Sequence, residues 1–511
     1  MQKIRLLSAF LLLAAAALLL PAPTRADDAP AILAKHFAYV GWQIEHTPYR
    51  SLIEAMKIVS KKGKLRYAGE IRRLGLAYRL DLRSAKYGVE SSSGFTGNIA
   101  WQSDANGFTT PMIGTSGRLL IDRDIIFNEA YATLPAAQRP STTIDGHSYP
   151  VVRISPSRLP PFDLAFDPTT GALVQAAIDP EGHDRETIKI DAYSDALPGK
   201  RIISAYHYAG STTRYELSEF RPNVPVTPVQ VEPPVQTATW NFANPKPFPV
   251  KITQYRILVD ASINGVKGRF ILDSGAAGIF LSRSFAKKAK LETIGHGEAM
   301  GVSGSTRITV MRAKSLEIGG NTLSNVIASS GRGSGLGADG LIGFPVLADT
   351  IATVDFANST LQLQDPSTVT PHTIPGVHTV IDLADETPQV PMKIDGRIDV
   401  NAFLDTGDPY QVLIPRSMVL DDNLTMLVDN TLTGYFASHL VVGGVGGGYQ
   451  IGDCGHVDSI ALGRIIYQNP TTCETTSFIG YRALVGLDFL RHFKRIIFDY
   501  PQSRMIFVPK V

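Results

Sequence analysis

The stretch Phe270-Ile271-Leu272-Asp273-Ser274-Gly275-Ala276 is echoed later in the chain by Ala402-Phe403-Leu404-Asp405-Thr406-Gly407-Asp408. Each is an apolar, strand-like run that ends in Asp, followed by a small hydroxyl residue and then Gly. The echo extends outward. Upstream, Ile263-Asn264-Gly265-Val266 and Ile394-Asp395-Gly396-Arg397 supply the Asn-Gly and Asp-Gly pairs that favour tight hairpin turns with positive φ. Downstream, Leu341-Ile342-Gly343-Phe344 is matched by Leu484-Val485-Gly486-Leu487, and Thr353-Val354-Asp355-Phe356 by Ile497-Phe498-Asp499-Tyr500. Four landmarks in one order predict two copies of one β unit, the second with a longer middle loop.

Two carboxyl groups brought together by such a duplication cannot both ionise cheaply, so one holds a proton while the other is charged. That pairing supplies a general acid and a general base without metal or cofactor. Gly275 and Gly407 let the two loops approach, because a Cβ there would collide across the pseudo-twofold axis. Taken singly, either triplet reads as an Asx-turn closing a strand; the repetition is what points to chemistry. The sequence contains no His-Glu-x-x-His and no Gly-x-Ser-x-Gly, so the metal and serine routes to hydrolysis have no motif behind them. Gly335-Leu336-Gly337-Ala338-Asp339-Gly340 matches a dinucleotide-binding string, but Leu341-Ile342-Gly343-Phe344-Pro345 stands where its helix should follow, so it reads as a loop entering a core strand.

These repeated landmarks resemble the aspartic proteases, and the retropepsin-like lobes more than the longer pepsin lobes, over roughly the last half of the chain. The resemblance implies a mainly β fold: two pseudo-symmetric retropepsin-like β-barrel lobes, residues 250–365 and 376–511, fused so that a monomer completes the site. It implies Asp273 and Asp405 as the catalytic pair. Ser274 and Thr406 would bond across to the opposite loop and hold the carboxyls coplanar, beside Gly275 and Gly407. It implies an extended polypeptide as substrate and no cofactor. Gly301, Val302, Ser303 and Gly304 in the first half, with Gly446, Gly447, Gly448 and Tyr449 in the second, occupy the place of a hairpin flap; the alternative is an ordinary Gly-rich turn. Asp339 recurs in the family and reads as structural. Asp408 departs from the pattern, in which a small uncharged residue commonly follows the triplet. Aimed at the pair it would raise the apparent pKa; aimed at solvent it would matter little.

Lys3 and Arg5, the apolar run over residues 6–20 and Pro21-Ala22-Pro23-Thr24-Arg25-Ala26 read as a cleaved secretory signal peptide, residues 1–26, rather than a membrane anchor. Its loss would remove Lys3, Arg5 and Arg25 and take the formal net charge from +2 to −1, a balance that offers nothing to nucleic acid or an anionic membrane. The mature protein is expected to be periplasmic or secreted, without a membrane anchor. Cys454 and Cys473, the two cysteines of the chain, are expected to pair in that oxidising setting; a metal or nucleophilic pair lacks a His or Cys at ligand spacing.

Residues 221–249 hold eight prolines and read as an extended connector with an edge strand. A shorter connector is expected near residues 364–375. Ahead of them, residues 27–220 form a β-rich unit. Leu52, Met56 and Val59 recur at helical spacing and predict a helix over residues 49–62, followed by a long meander of strands. One curved antiparallel sheet wrapped on a helix resembles the unclosed barrel of periplasmic lipoprotein carriers, with Gly97-Asn98-Ile99-Ala100-Trp101-Gln102 and Phe166-Asp167-Pro168-Thr169-Thr170-Gly171 as the most similar pieces. The alternative for this unit is a prodomain or scaffold that binds nothing. For the whole chain, an exported aspartic endopeptidase stands against a non-catalytic periplasmic protein that binds peptide or lipoprotein.

Overall fold

The computed structural model describes residues 29–41, 50–84, 90–182, 185–301, 304–331, 337–421, 424, 427–428, 441–444, 447–475 and 482–510. The signal peptide expected over residues 1–26 lies outside them. The described chain is mainly β, with large antiparallel and curled sheets and few helices. None of its helices is long and apolar enough to cross a membrane.

Thirteen strands between Ser51 and Pro222 make one antiparallel sheet. Its first six form one meander and its last seven another. The meanders join where the first strand, Ser51–Ser60, pairs with the last, Thr213–Pro222. The helix Thr115–Phe127 crosses between the two free edges in sequence, and a second helix, Ala29–Val40, buries Ile32, Leu33, Phe37 and Val40 against Phe162, Leu164 and Phe166. His36 on that helix is sealed, its Nδ1 2.8 Å from the Gly171 carbonyl and its Nε2 2.9 Å from Glu129.

The helix expected over residues 49–62 is instead the strand Ser51–Ser60. The sheet register slips between Ala55 and Met56 against one neighbour and between Ile58 and Val59 against the other. Bulges break the two-residue alternation of a strand, so the spacing of Leu52, Met56 and Val59 imitates a helical period. The other expected strands fall in place: Ala77–Ser84, Ala100–Ser103, Phe162–Phe166 turning through Asp167 into Leu173–Ile178, Glu186–Leu197 and Lys200–Tyr208. Asp167 holds that turn by accepting the amides of Thr169 and Thr170 at 2.9 and 2.6 Å.

The proline-rich stretch is more than a tether. Thr239–Asn241 adds an edge to the first-half sheet by pairing with Asn321–Gly331, and Phe248–Pro249 pairs with Thr360–Gln364. The N-terminal sheet is docked as well: Phe108 is buried in the core of the two halves, Gln102 donates to the Leu383 carbonyl at 2.7 Å, and Asn106 accepts the Ile327 amide at 2.6 Å.

The two halves repeat one strand order. In the first it runs Asn321–Gly331, Ile279–Ser282, Gly340–Ile342, Val266–Leu272, Ile257–Ile263, Gly304–Ile318. In the second it runs Thr471–Thr475, Val412–Pro415, Ala483–Gly486, Ile398–Asp405, Gln389–Ile394, Ser459–Leu462. Directions match too. Ile279–Ser282 and Val412–Pro415 each lie parallel to one neighbour and antiparallel to the other, and Val266–Leu272 and Ile398–Asp405 each gain a parallel partner from the apolar-Gly element. The hairpin turns hold as read: φ is +50° at Asn264 and Asp395, +77° at Gly265 and +65° at Gly396.

Beneath both halves lies a shared six-stranded sheet. Ile351–Asp355 of the first half pairs antiparallel with Phe493–Asp499 of the second, Thr353 opposite Ile497. Phe344, Phe498, Tyr500 and Phe507 are fully buried within one core that spans both halves. Each such ring contributes about 1.5–3 kcal/mol by leaving water, so the halves are one packed body.

Candidate active site

Asp273 follows the strand Val266–Leu272, and its amide donates to the Ile342 carbonyl at 3.0 Å. Asp405 ends the strand Ile398–Asp405 opposite Gly486. The parallel strand beside each therefore fixes the aspartate at the same level in its own half, and the pseudo-twofold arrangement turns the two side chains toward each other. Their carboxyls are hydrogen-bonded to one another.

The loops that carry them are locked reciprocally. Ser274 Oγ donates to the Leu404 carbonyl at 2.7 Å and accepts the Thr406 amide at 3.0 Å. Thr406 Oγ1 donates to the Leu272 carbonyl at 2.8 Å and accepts the Ser274 amide at 3.0 Å. Both hydroxyl residues are buried, and every polar group in this knot has a partner in the opposite half, so neither loop can shift alone.

Glycine is required beside each aspartate by contact, not by backbone twist. A Cβ on Gly275 would stand 2.5 Å from the Asp405 carboxyl carbon, and one on Gly407 2.5 Å from that of Asp273. The Gly275 and Gly407 amides instead donate to the carboxylate of their own loop, to Asp273 at 3.0 Å and Asp405 at 2.7 Å.

Both aspartates keep partial exposure, but the surrounding protein strips much of their hydration. Burial, then the charge of Asp405 and the hydrogen bond to it, push Asp273 well above the usual carboxylate range. Burial raises Asp405 as well, while the hydrogen bond from Asp273 and the amides of Gly407, Asp408 and Gly275 pull it back. The pair thus retains a proton to higher pH than an isolated aspartate would, and that proton belongs to both groups.

Asp408 points neither at the pair nor at solvent. It is buried, and its Oδ1 accepts the Tyr410 amide at 2.9 Å. Its charge is the smallest of the causes that raise Asp273.

Tyr500 is a neighbour the sequence did not disclose. It is fully buried, its ring stacks on Phe344 with centroids 6.2 Å apart, and burial followed by the charges of Asp405 and Asp273 holds its phenol well above the usual range. Its hydroxyl has no hydrogen-bond partner among the described residues. The available signal was the repeated Asp-aromatic step, Asp355-Phe356 and Asp499-Tyr500, which marks the paired strand ends of the shared sheet.

Hairpins stand where flaps were expected. Glu292–Gly301 and Gly304–Ile318 pair through Gly301 and Gly304, and Val441–Gly444 and Gly447–His456 pair through Gly444 and Gly447, with Gly448 and Tyr449 in the returning strand. Val302, Ser303 and Gly446 lie outside the described residues. Cys454 and Cys473 are opposite one another on neighbouring strands and form a disulfide. Asp339 ties strands together, accepting the Arg269 amide at 2.9 Å on its carboxylate. Among the described residues, no three of His, Cys, Asp and Glu converge to hold a metal ion.

A family model described as aspartyl protease matches residues 259–346, which contain Asp273-Ser274-Gly275 and Leu341-Ile342-Gly343. That segment is therefore similar to aspartyl protease domains, and aspartic peptidase chemistry is the class to which fold and site point. No curated protein matches the chain.

Proposed function

We propose that the chain is an exported aspartic endopeptidase in which Asp273 and Asp405 together activate water against a peptide carbonyl. The observation that carries this reading is the pair of hydrogen-bonded carboxyls held by a reciprocal Ser274–Thr406 lock. In the reactive state one carboxyl is ionised and one protonated. The ionised member takes a proton from water as its oxygen bonds to the carbonyl carbon, and the protonated member gives its proton to the carbonyl oxygen. Collapse of the resulting gem-diol breaks the C–N bond as the protonated carboxyl gives its proton to the amide nitrogen and the other carboxyl takes the proton of a gem-diol hydroxyl, which becomes the carbonyl of the product acid, so the pair returns to one shared proton. All of this is done by side chains of one polypeptide, so a monomer suffices.

The substrate is an extended or unfolded segment, which pairs strand-like with the backbone of a cleft between β halves. The two glycine-rich hairpins serve as its covers, since glycine allows close backbone approach and hinge motion. The functional division follows the expected boundaries: a leader over 1–26, an N-terminal unit over 27–220, a connector over 221–249, and catalytic halves over 250–365 and 376–511. A disulfide fits an oxidising compartment, periplasmic or extracellular.

The test is hydrolysis of a denatured protein across pH 3 to 8 by wild type and by Asp273→Asn and Asp405→Asn. Cleavage by wild type that both variants lose supports the assignment. Equal activity in all three removes it.

A further inference from the structure

The concave side of the N-terminal sheet encloses a cavity of about 330 Å³ against the helix Thr115–Phe127. Protein interiors contain few voids larger than a water molecule, and this volume falls in the range of small-molecule sites, ~300–1,000 Å³. Aliphatic and aromatic side chains together make up the larger part of its wall, with Met56, Ile58, Ile71, Leu80 and Leu217 among the aliphatic ones. Its charged groups are unequal.

Both guanidinium groups in the wall are already neutralised. Arg73 donates through two nitrogens to Asp124, and Arg123 makes two bonds of 2.6 Å to Glu186. An anionic ligand would have to displace a carboxylate to reach either. Glu54 differs: it lines the cavity and has no hydrogen-bond or ion-pair partner among the described residues. Glu54 keeps partial exposure, through the cavity that it lines. Burial pushes Glu54 up to about 7, against the pull of Arg73 and with a further rise from Asp124.

Beside it stands an aromatic cluster. Tyr206 and Tyr215 stack with centroids 4.7 Å apart and planes within 5°, and Tyr208 meets both edge-on. Glu54 and the three tyrosines line the same cavity, and the charge of Glu54 bears on Tyr206. Aromatic faces next to a desolvated carboxylate favour an ammonium group.

We propose that this cavity is a binding site for an amphipathic amine, its apolar body against the aliphatic wall and its ammonium group between Glu54 and the Tyr206–Tyr208–Tyr215 cluster. The site is independent of the aspartate pair.

Calorimetric titration of the full chain with dodecylamine, dodecanol and dodecanoate, each below its aggregation concentration, tests this. The amine should bind one to one and at least tenfold more tightly than the carboxylate. Glu54→Gln, nearly isosteric, should erase most of that preference while dodecanol binding stays, and Leu80→Trp should block all three by filling the cavity. Retained dodecanol binding also reports that the Glu54 variant is folded. Equal or tighter binding of dodecanoate, no binding of any of the three, or an amine preference that survives Glu54→Gln would each overturn the proposal.

Discussion

Ala276 in the first half and Asp408 in the second hold the same place. The Ala276 carbonyl accepts the Phe344 amide at 2.9 Å, and the Asp408 carbonyl accepts the Leu487 amide at 2.7 Å. Neither Gly343 nor Gly486 has room for a side chain: a Cβ would meet the Ala276 carbonyl oxygen at 2.1 Å in one half, and in the other the carbonyl oxygens of Tyr410 at 2.3 Å and Asp408 at 2.8 Å. The backbone plan is thus kept twice, while a methyl group on one side faces a buried carboxylate on the other. Duplication conserves what positions the aspartates and leaves free what tunes them. The uneven surroundings show in the pair itself: Asp273 is raised by two neighbouring carboxylates, whereas Asp405 is drawn back by three amides.

The most severe challenge to this comparison is removal of either acid. Asp273→Asn and Asp405→Asn should each lower kcat by roughly 10³-fold or more, since in the proposed mechanism each group serves as acid or base in every turnover; a large inequality between them would mean that the halves are not chemically equivalent. Stability should move the other way. A carboxyl whose folded pKa lies above its usual 3.8 stabilises the folded state below that pH and loses this contribution as pH rises toward the folded value. Asp273→Asn should therefore gain thermal stability relative to wild type as pH is raised above 4, read from melting curves at pH 3, 5 and 7.

Next in size are Gly275→Ala and Gly407→Ala, whose new methyl would occupy the opposite carboxyl. Both should abolish turnover and cost about 1–3 kcal/mol in urea unfolding, the usual range for an overpacked site. Removing a lock hydroxyl, Ser274→Ala or Thr406→Ala, should cost about 1–3 kcal/mol, because an amide and a carbonyl are left buried without partners. Near-equal losses are expected, and Thr406→Ser should restore most of the second.

Asp408→Asn probes the difference between the halves directly. Its amide oxygen can still accept the Tyr410 amide, so the fold should hold. Loss of the negative charge removes one cause that raises Asp273, so the alkaline limb of kcat/KM should move to lower pH with the maximal rate kept. The smallest effect is expected from Tyr500→Phe. Its hydroxyl has no partner to lose among the described residues, so stability should stay within about 0.5 kcal/mol.

The site was legible in the sequence because its requirements are local and repeated. Asp-Ser-Gly and Asp-Thr-Gly carry the acid, the locking hydroxyl and the gap for close approach in three consecutive residues, and Asn264-Gly265 and Asp395-Gly396 announce the preceding turns. Features that depend on registers between distant strands were not legible. Leu52, Met56 and Val59 mimic a helix because two bulges displace them, and bulges are set by the partner strand. Tyr500 reaches the aspartates only through the shared sheet. Glu54 becomes notable only when Arg73 and Arg123 are seen to be occupied by other carboxylates.

The antiparallel seam between Ile351–Asp355 and Phe493–Asp499 has one more consequence. Main-chain bonds along this seam join the two halves directly, so a strain that drew the aspartates apart would have to break sheet hydrogen bonds as well.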